Sequence, residues 1–334
     1  MMDLMNLIFQ PWIFIPLIFP GLTTAFLVLL GIIWAERKIA AKVQMRYGPL
    51  YVLKPLGGAI QMIADLLRYL FAEPIIPKDV DKLAFIFAPL ILFGLSYLPT
   101  IVLPAGPGFT AISSDMSLLI LLGLLTLSPV FTMILAWGSN NKFSLIGGLR
   151  EGYLVTTYEI PLFLSALSMA VLYGTLDITE MVEAQKNVWG IFLNPLAAIV
   201  FLVLILISTS KFPFEIAEAE SEIVMGPFTE YSGIFYGLVM GASYLKLYVL
   251  SLLYALIFLG GWYPLPSFLQ NPPFLAGIIV FVKGLVIMFI AIFMRAVYPR
   301  YRIDQAIQIG WHKLVPLAIL SIFLSLLVVY LGGV

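Results

Sequence analysis

The segment Lys211-Phe212-Pro213-Phe214-Glu215-Ile216-Ala217-Glu218-Ala219-Glu220-Ser221-Glu222 packs four carboxylates into a short span, with Glu230 close behind and a single Lys to offset them. Repulsion among these acids raises some of their pKa values towards neutrality. Groups that titrate there can hand protons along waters and side chains. Ile216, Ala217, Ala219, Ile223 and Val224 alternate with the acids, a pattern unlike the solvated acidic loop that is the plain alternative. Pro213 and Glu215 suit a helix start. In such a helix Glu215, Glu218 and Glu222 share one face and Glu220 points elsewhere.

Glu159, in Tyr158-Glu159-Ile160-Pro161, lies inside an apolar stretch, roughly 10 Å from its cytoplasmic end at ~1.5 Å per residue. A carboxylate at that depth is costly, so it is expected to face a polar cavity or a partner; a structural pairing near the interface is the alternative. Pro161 lacks an amide hydrogen and loosens the backbone beside it. Lys246 and Lys283 stand about midway along two further apolar stretches, as counter-charges on a path for protons or as structural pairs.

The basic residues fall in clusters. Glu36, Arg37 and Lys38 lead into Gln44-Met45-Arg46-Tyr47-Gly48-Pro49, Arg150 and Lys211 stand alone, and Arg295, Arg300, Arg302 and Asp304 gather near the C-terminus. Such clusters anchor topology, bind headgroups or dock a soluble partner. With no Cys and one His, His312, thiolate chemistry, iron–sulfur ligation and a histidine metal cluster are excluded. Zero net charge gives no basic face for nucleic acid.

The elements that carry these residues are membrane helices. The 334 residues are 62% hydrophobic and 11% charged, far from the composition of soluble domains. Eight apolar stretches approach the roughly 20 residues needed to cross a bilayer: about 13–34, 83–103, 116–137, 152–173, 192–209, 231–258, 273–298 and 312–331. The polar residues Lys54, Gln61, Asp65 and Arg68 form a stripe on an otherwise apolar segment, which predicts an amphipathic helix in the interface. Of 18 Lys and Arg, 14 lie in alternate connections, about 35–82, 138–151, 210–230 and 295–311, and Lys313 just past the last makes 15. The positive-inside rule makes these cytoplasmic and puts both termini outside. The expected fold is an all-α integral membrane protein of about eight spans in a single membrane domain, 1–334.

Four segments resemble the H subunit of bacterial-type complex I, a family that includes mitochondrial subunit 1 and membrane subunits of energy-converting hydrogenases. They are Ala35-Glu36-Arg37-Lys38 with Gln44 to Pro49; Trp137-Gly138-Ser139-Asn140-Asn141-Lys142 through Gly147-Gly148-Leu149-Arg150 to Tyr158-Glu159-Ile160-Pro161; Pro213-Phe214-Glu215 through Glu222 to Glu230-Tyr231-Ser232-Gly233; and Arg295 through Arg300-Tyr301-Arg302-Ile303-Asp304-Gln305 to Trp311. They occur in the family's order and span most of the chain.

The resemblance implies the heel of a translocating oxidoreductase in a prokaryotic cell membrane, with no catalytic residue, metal or cofactor of its own. A quinone or other lipid-soluble carrier would sit at the interface. Iron–sulfur clusters would belong to hydrogenase-like peripheral subunits on the cytoplasmic side, and antiporter-like and small membrane subunits would complete the complex. Glu159, Glu215, Glu218, Glu220, Glu222 and Glu230, with Lys246 and Lys283 from the charge reading, would relay H⁺ or Na⁺. Glu36, Arg37, Lys38, Arg46, Arg150, Lys211, Arg295, Arg300, Arg302 and Asp304 would line the cavity and the arm contact. Only four residues separate Gly48-Pro49 from Lys54-Pro55, a short link that resembles the hydrogenase branch and an archaeal complex I-like lineage. A quinone-independent hydrogenase or sulfur-reducing complex is therefore the alternative. A stand-alone secondary transporter is the reading from another class, but such folds usually show internal repeats, and none is evident.

Overall fold

The computed structural model describes residues 9–266 and 272–332. Among them the chain is helical, with no β-strand. The first span is broken in two, α1 (Pro11–Leu17) and α2 (Leu22–Val43). At the break a Cβ on Gly21 would collide with the carbonyls of Ile15 and Pro16. α2 outruns its apolar stretch by about two turns, so Glu36, Arg37 and Lys38 stand on helix rather than in a loop.

The segment expected as one interfacial helix has two parts, a 3₁₀ turn at Lys54–Leu56 and α3 (Gln61–Phe71). Gly57 and Gly58 separate them at positive φ. α4 (Lys82–Tyr97), α5 (Ser117–Thr126) and α6 (Ser128–Gly138) follow. Asp81 caps α4 by accepting from the amides of Leu83 and Ala84.

The 32-residue α7 (Lys142–Tyr173) begins at the Asn141 cap and ends at Gly174, whose φ of 70° suits a glycine terminator. Pro161 does not break it. Two short helices, α8 (Ile178–Ala184) and α9 (Gly190–Leu193), precede α10 (Pro195–Ser208). α11 (Glu220–Ile223), α12 (Gly233–Ile257), α13 (Gly277–Val297), α14 (Ile303–Ile309), a π-turn at Gly310–Leu314 and α15 (Val315–Tyr330) complete the chain.

Among the described residues, seven segments are long and apolar enough to cross a membrane; the eighth expected stretch is the shorter α10, 14 residues. Asn194 fixes its start, accepting from the Ala197 amide while its own amide donates to the Ser321 carbonyl and Ser325 Oγ. α10 is buried along most of its length, so protein covers most of it, with Ile199 left on the outer face. α12 is the central post of the bundle, with its residues from Tyr244 to Ile257 all buried.

The acidic segment departs from expectation. No helix starts at Pro213; residues 209–219 are irregular and only the four residues of α11 are helical. Ser210, Val224 and Gly226 have positive φ, which a helix cannot contain. A Cβ on Gly226 would collide with the Ala217 carbonyl oxygen, so close approach of two turns shapes this loop.

Candidate functional site

Glu36, carried on the last turns of α2, is 5% exposed. It pairs with Arg295 at the end of α13 and, at 3.9 Å, with Lys211. The Tyr244 hydroxyl donates to it at 2.8 Å. The Lys211 ammonium also sits 3.8 Å from the centre of the Tyr244 ring. Arg295 reaches Glu215 at 3.3 Å, and Arg300 donates to the other Glu215 oxygen at 2.8 Å. Three cations and two acids therefore form one network over the Phe212 ring. A buried charge is tolerable only when paired and hydrogen-bonded in this way.

This network closes a cavity of about 490 Å³ between α2, α3, α4 and α12. Its wall is apolar from Leu22 along α2 to Ile33, and its polar end is Glu36, Arg37, Asp65, Tyr244 and Arg295. Arg37 holds Asp65 across the mouth at 2.5 Å. Gly237 and Gly241 on α12 keep the wall flat: a Cβ there would lie 3.3 Å from Tyr69 and 3.2 Å from Phe93. A polar recess of about 280 Å³ lies beyond Glu36, Arg37 and Arg295, lined also by Gln44 and Arg46. The same three side chains thus wall off two compartments.

Behind Glu215 the path turns inward. Glu218 is partly buried; burial pushes its carboxyl up to about 7, with Lys211 pulling it back. Burial also raises Glu215, which the hydrogen bond and charge of Arg300 oppose. Glu218 lines a second cavity, about 50 Å³, with Glu151, Lys246 and the hydroxyls of Ser208, Thr209, Ser210 and Ser243. That volume suits one or two waters.

Other expected residues lie apart from this path. Glu222 is held by Arg150 at 2.5 Å at the surface, and Glu230 accepts from Asn141 at 2.5 Å. Glu220 is exposed. Arg46 donates to its neighbour Gln44, Arg302 pairs with Asp304 in solvent, and Lys38 packs its stem beside Gly48. Lys283 donates to the carbonyls of Leu259, Gly261 and Tyr263 at 2.6–2.8 Å, at the opposite end of the bundle from the acids. It clamps a loop there. Glu159, by contrast, stands on α7 two turns beyond Glu151 and near the path; it is partly buried, and one of its oxygens is covered without a hydrogen bond.

Glu151 and Tyr244 escaped the sequence reading, and Asp65 entered it only as part of an amphipathic stripe. The signal for Glu151 was its distance of seven residues from Tyr158, two turns on one helix face; both are buried.

Comparison of the sequence with known proteins shows the family. The family model described as NADH dehydrogenase matches residues 17–326. The NADH-quinone oxidoreductase H subunit of a Geobacillus species is 38% identical over 312 residues, 92% of each chain. The F(420)H(2) dehydrogenase H subunit of Methanosarcina acetivorans is 35% identical over 97% of this chain and 96% of its own. The NADH-quinone oxidoreductase H subunit of Chlorobium luteolum is 36% identical over 93% and 86%. A multi-pass bundle whose buried ion network closes an apolar cavity, matched over nearly its full length, belongs to the NADH dehydrogenase family of membrane subunits, the H-subunit family of complex I-type oxidoreductases.

Proposed function

We propose that the chain is the heel of a complex I-like respiratory complex and couples electron transfer in a peripheral iron–sulfur arm to ion movement across the membrane. One observation carries this reading: the Glu36 network closes the apolar cavity on one side and, through Arg295 and Glu215, adjoins the acidic loop on the other. The cavity suits a lipid-soluble carrier of quinone type, its tail along α2 and its headgroup at the polar end. Reduction of such a carrier by the arm takes up protons. The residues at the polar end orient the headgroup and answer its change in charge. When Arg295 turns from Glu36 towards a bound headgroup, Glu215 loses a counter-charge. Its proton affinity rises, and Glu218, already poised to titrate near neutrality, feels the altered field. Conversely, the chain's carboxylates can release protons only if their cationic partners return. The isolated chain has no redox group, so its share is coupling.

The distribution of Lys and Arg supports a cytoplasmic arm and outward-facing termini. Hydrogenase-like peripheral subunits would cover the charged end, and antiporter-like and small membrane subunits would flank the bundle.

The test is purification from native membranes followed by reconstitution. Co-purifying iron–sulfur and antiporter-like subunits, with ion uptake into vesicles that depends on carrier reduction, is the expected result. Assays with quinone, hydrogen and sulfur compounds identify the acceptor, and protonophores against sodium ionophores identify the ion. A solitary chain that transports on its own would overturn the reading.

A further inference from the structure

Glu151 is a buried acid that the resemblance did not bring forward. It stands on α7, 6% exposed, facing the water-sized cavity that Glu218 also lines. The Ser210 hydroxyl donates towards it at 3.5 Å. On the same wall is Lys246 of α12, 7% exposed, its ammonium 5.4 Å from the Tyr158 ring. Tyr158 lies beside Glu151 on the same helix face, 1% exposed, and its hydroxyl makes no hydrogen bond. A buried hydroxyl without a partner is rare and asks for a water or a proton-accepting neighbour.

The other hydroxyls around the cavity are already committed. Ser208 and Thr209 donate to the Ile205 carbonyl, and Ser243 donates to the Thr209 carbonyl. These residues line the cavity together with Glu151 and Glu218, so water there has hydroxyl and carboxyl oxygens as neighbours. Lys246 supplies a cation on the same wall as Glu151. What the geometry accommodates is a proton moving through water.

We propose that Glu151 is the buried proton acceptor next after Glu218, with Lys246 as its counter-charge. This rests on the coupling function proposed above. In the step, the O–H bond of protonated Glu218 breaks and a cavity water takes the proton. A proton of that water passes to Glu151, forming a new O–H bond there. The water is regenerated, Glu218 is left as the carboxylate, and Glu151 becomes neutral. Lys246 stays charged and, relieved of its partner, turns towards Glu159, which lies within its electrostatic range and carries a covered oxygen without a partner.

The experiment uses the whole complex reconstituted in vesicles and reads ion uptake per electron, with partner co-purification as the measure of assembly. Glu151→Gln is expected to lower uptake per electron at least tenfold, and Glu151→Asp to restore a substantial part of it. Infrared difference spectra taken on reduction should lose a carboxylic acid band in the Gln variant, a change that a merely structural role would not produce. Should Glu151→Gln fail to assemble, the charge-balanced Glu151→Gln/Lys246→Gln variant decides: assembly without uptake supports the proposal, and assembly with uptake overturns it. Uptake within twofold of wild type in Glu151→Gln, when Glu218→Gln has lost it, overturns the role of Glu151 and leaves the coupling function standing. Equal uptake in wild type and Glu218→Gln removes the relay altogether, and this step with it.

Discussion

Glu36 shows how much one side chain can hold. Its carboxylate answers Arg295, Lys211 and the Tyr244 hydroxyl at once. Glu36→Gln leaves two cations short of a counter-charge in a buried place, and breaking one partner out of such a group costs about 3 kcal/mol. A lowered melting temperature of the purified complex, together with loss of carrier-linked turnover, is the expected outcome; unchanged melting would show that Arg295 is satisfied by Glu215 alone. Glu218 supplies a pH signature. Its folded pKa of about 7 lies above the ordinary 4.5, so its stabilising contribution is complete below about 4.5 and is lost as pH rises through 7. A melting temperature that falls between pH 4.5 and 7, with a shallower fall in Glu218→Gln, is the check. Such acids are legible in sequence because a carboxylate among apolar neighbours is conspicuous. Glu151 was not, since it falls just outside the apolar stretch read as 152–173; its neighbour Arg150 turns to Glu222 and the Ile216 carbonyl, while Glu151 is buried.

Elements were legible to the extent that burial alone shapes them. Apolar stretches became helices because lipid leaves backbone groups no other partner. The acidic loop escaped because its path is set by other elements. Gly226 presses on Ala217, and Gly147 on α7 comes within 2.6–2.8 Å of Gly226 and Pro227 if given a Cβ. No local spacing announces such contacts. The helical face expected for Glu215, Glu218 and Glu222 is therefore replaced by three destinations: the arginine network, the water-sized cavity and the surface. Helix α12 offers a test at this scale. Gly241→Leu drives a side chain towards Phe93 across the large cavity, and should raise the KM for a lipid-soluble carrier at least tenfold while partner subunits still co-purify. An unchanged KM would place carrier binding elsewhere.

At the scale of the molecule, hydropathy located seven long spans and charge arithmetic suggested the sidedness, but neither revealed what encloses α10. Asn194 at its start bonds Ser325 near the end of α15, while Ser210 just past its end meets Glu151. The C-terminal part of α15 therefore lies at the same end of the bundle as the start of α10. Reporters fused to the C-terminus should read the outside, and a cytoplasmic reading would reverse the proposed orientation. The same end holds Lys283 in its three carbonyls. Lys283→Met should lower the melting temperature without changing ions moved per electron; a changed ratio would return Lys283 to the ion path.

The shortness of α10 bears on how the bundle meets the bilayer. Its 14 residues span about 21 Å at 1.5 Å per residue, against ~30 Å of hydrocarbon. The difference is made up by protein: Asn194 bonds the Ser321 carbonyl and the Ser325 hydroxyl of α15 at one end, and Ser208, Thr209 and Ser210 line the water-sized cavity at the other. A span packed in this way stops short of the lipid boundary without thinning the bilayer or oligomerising to match it.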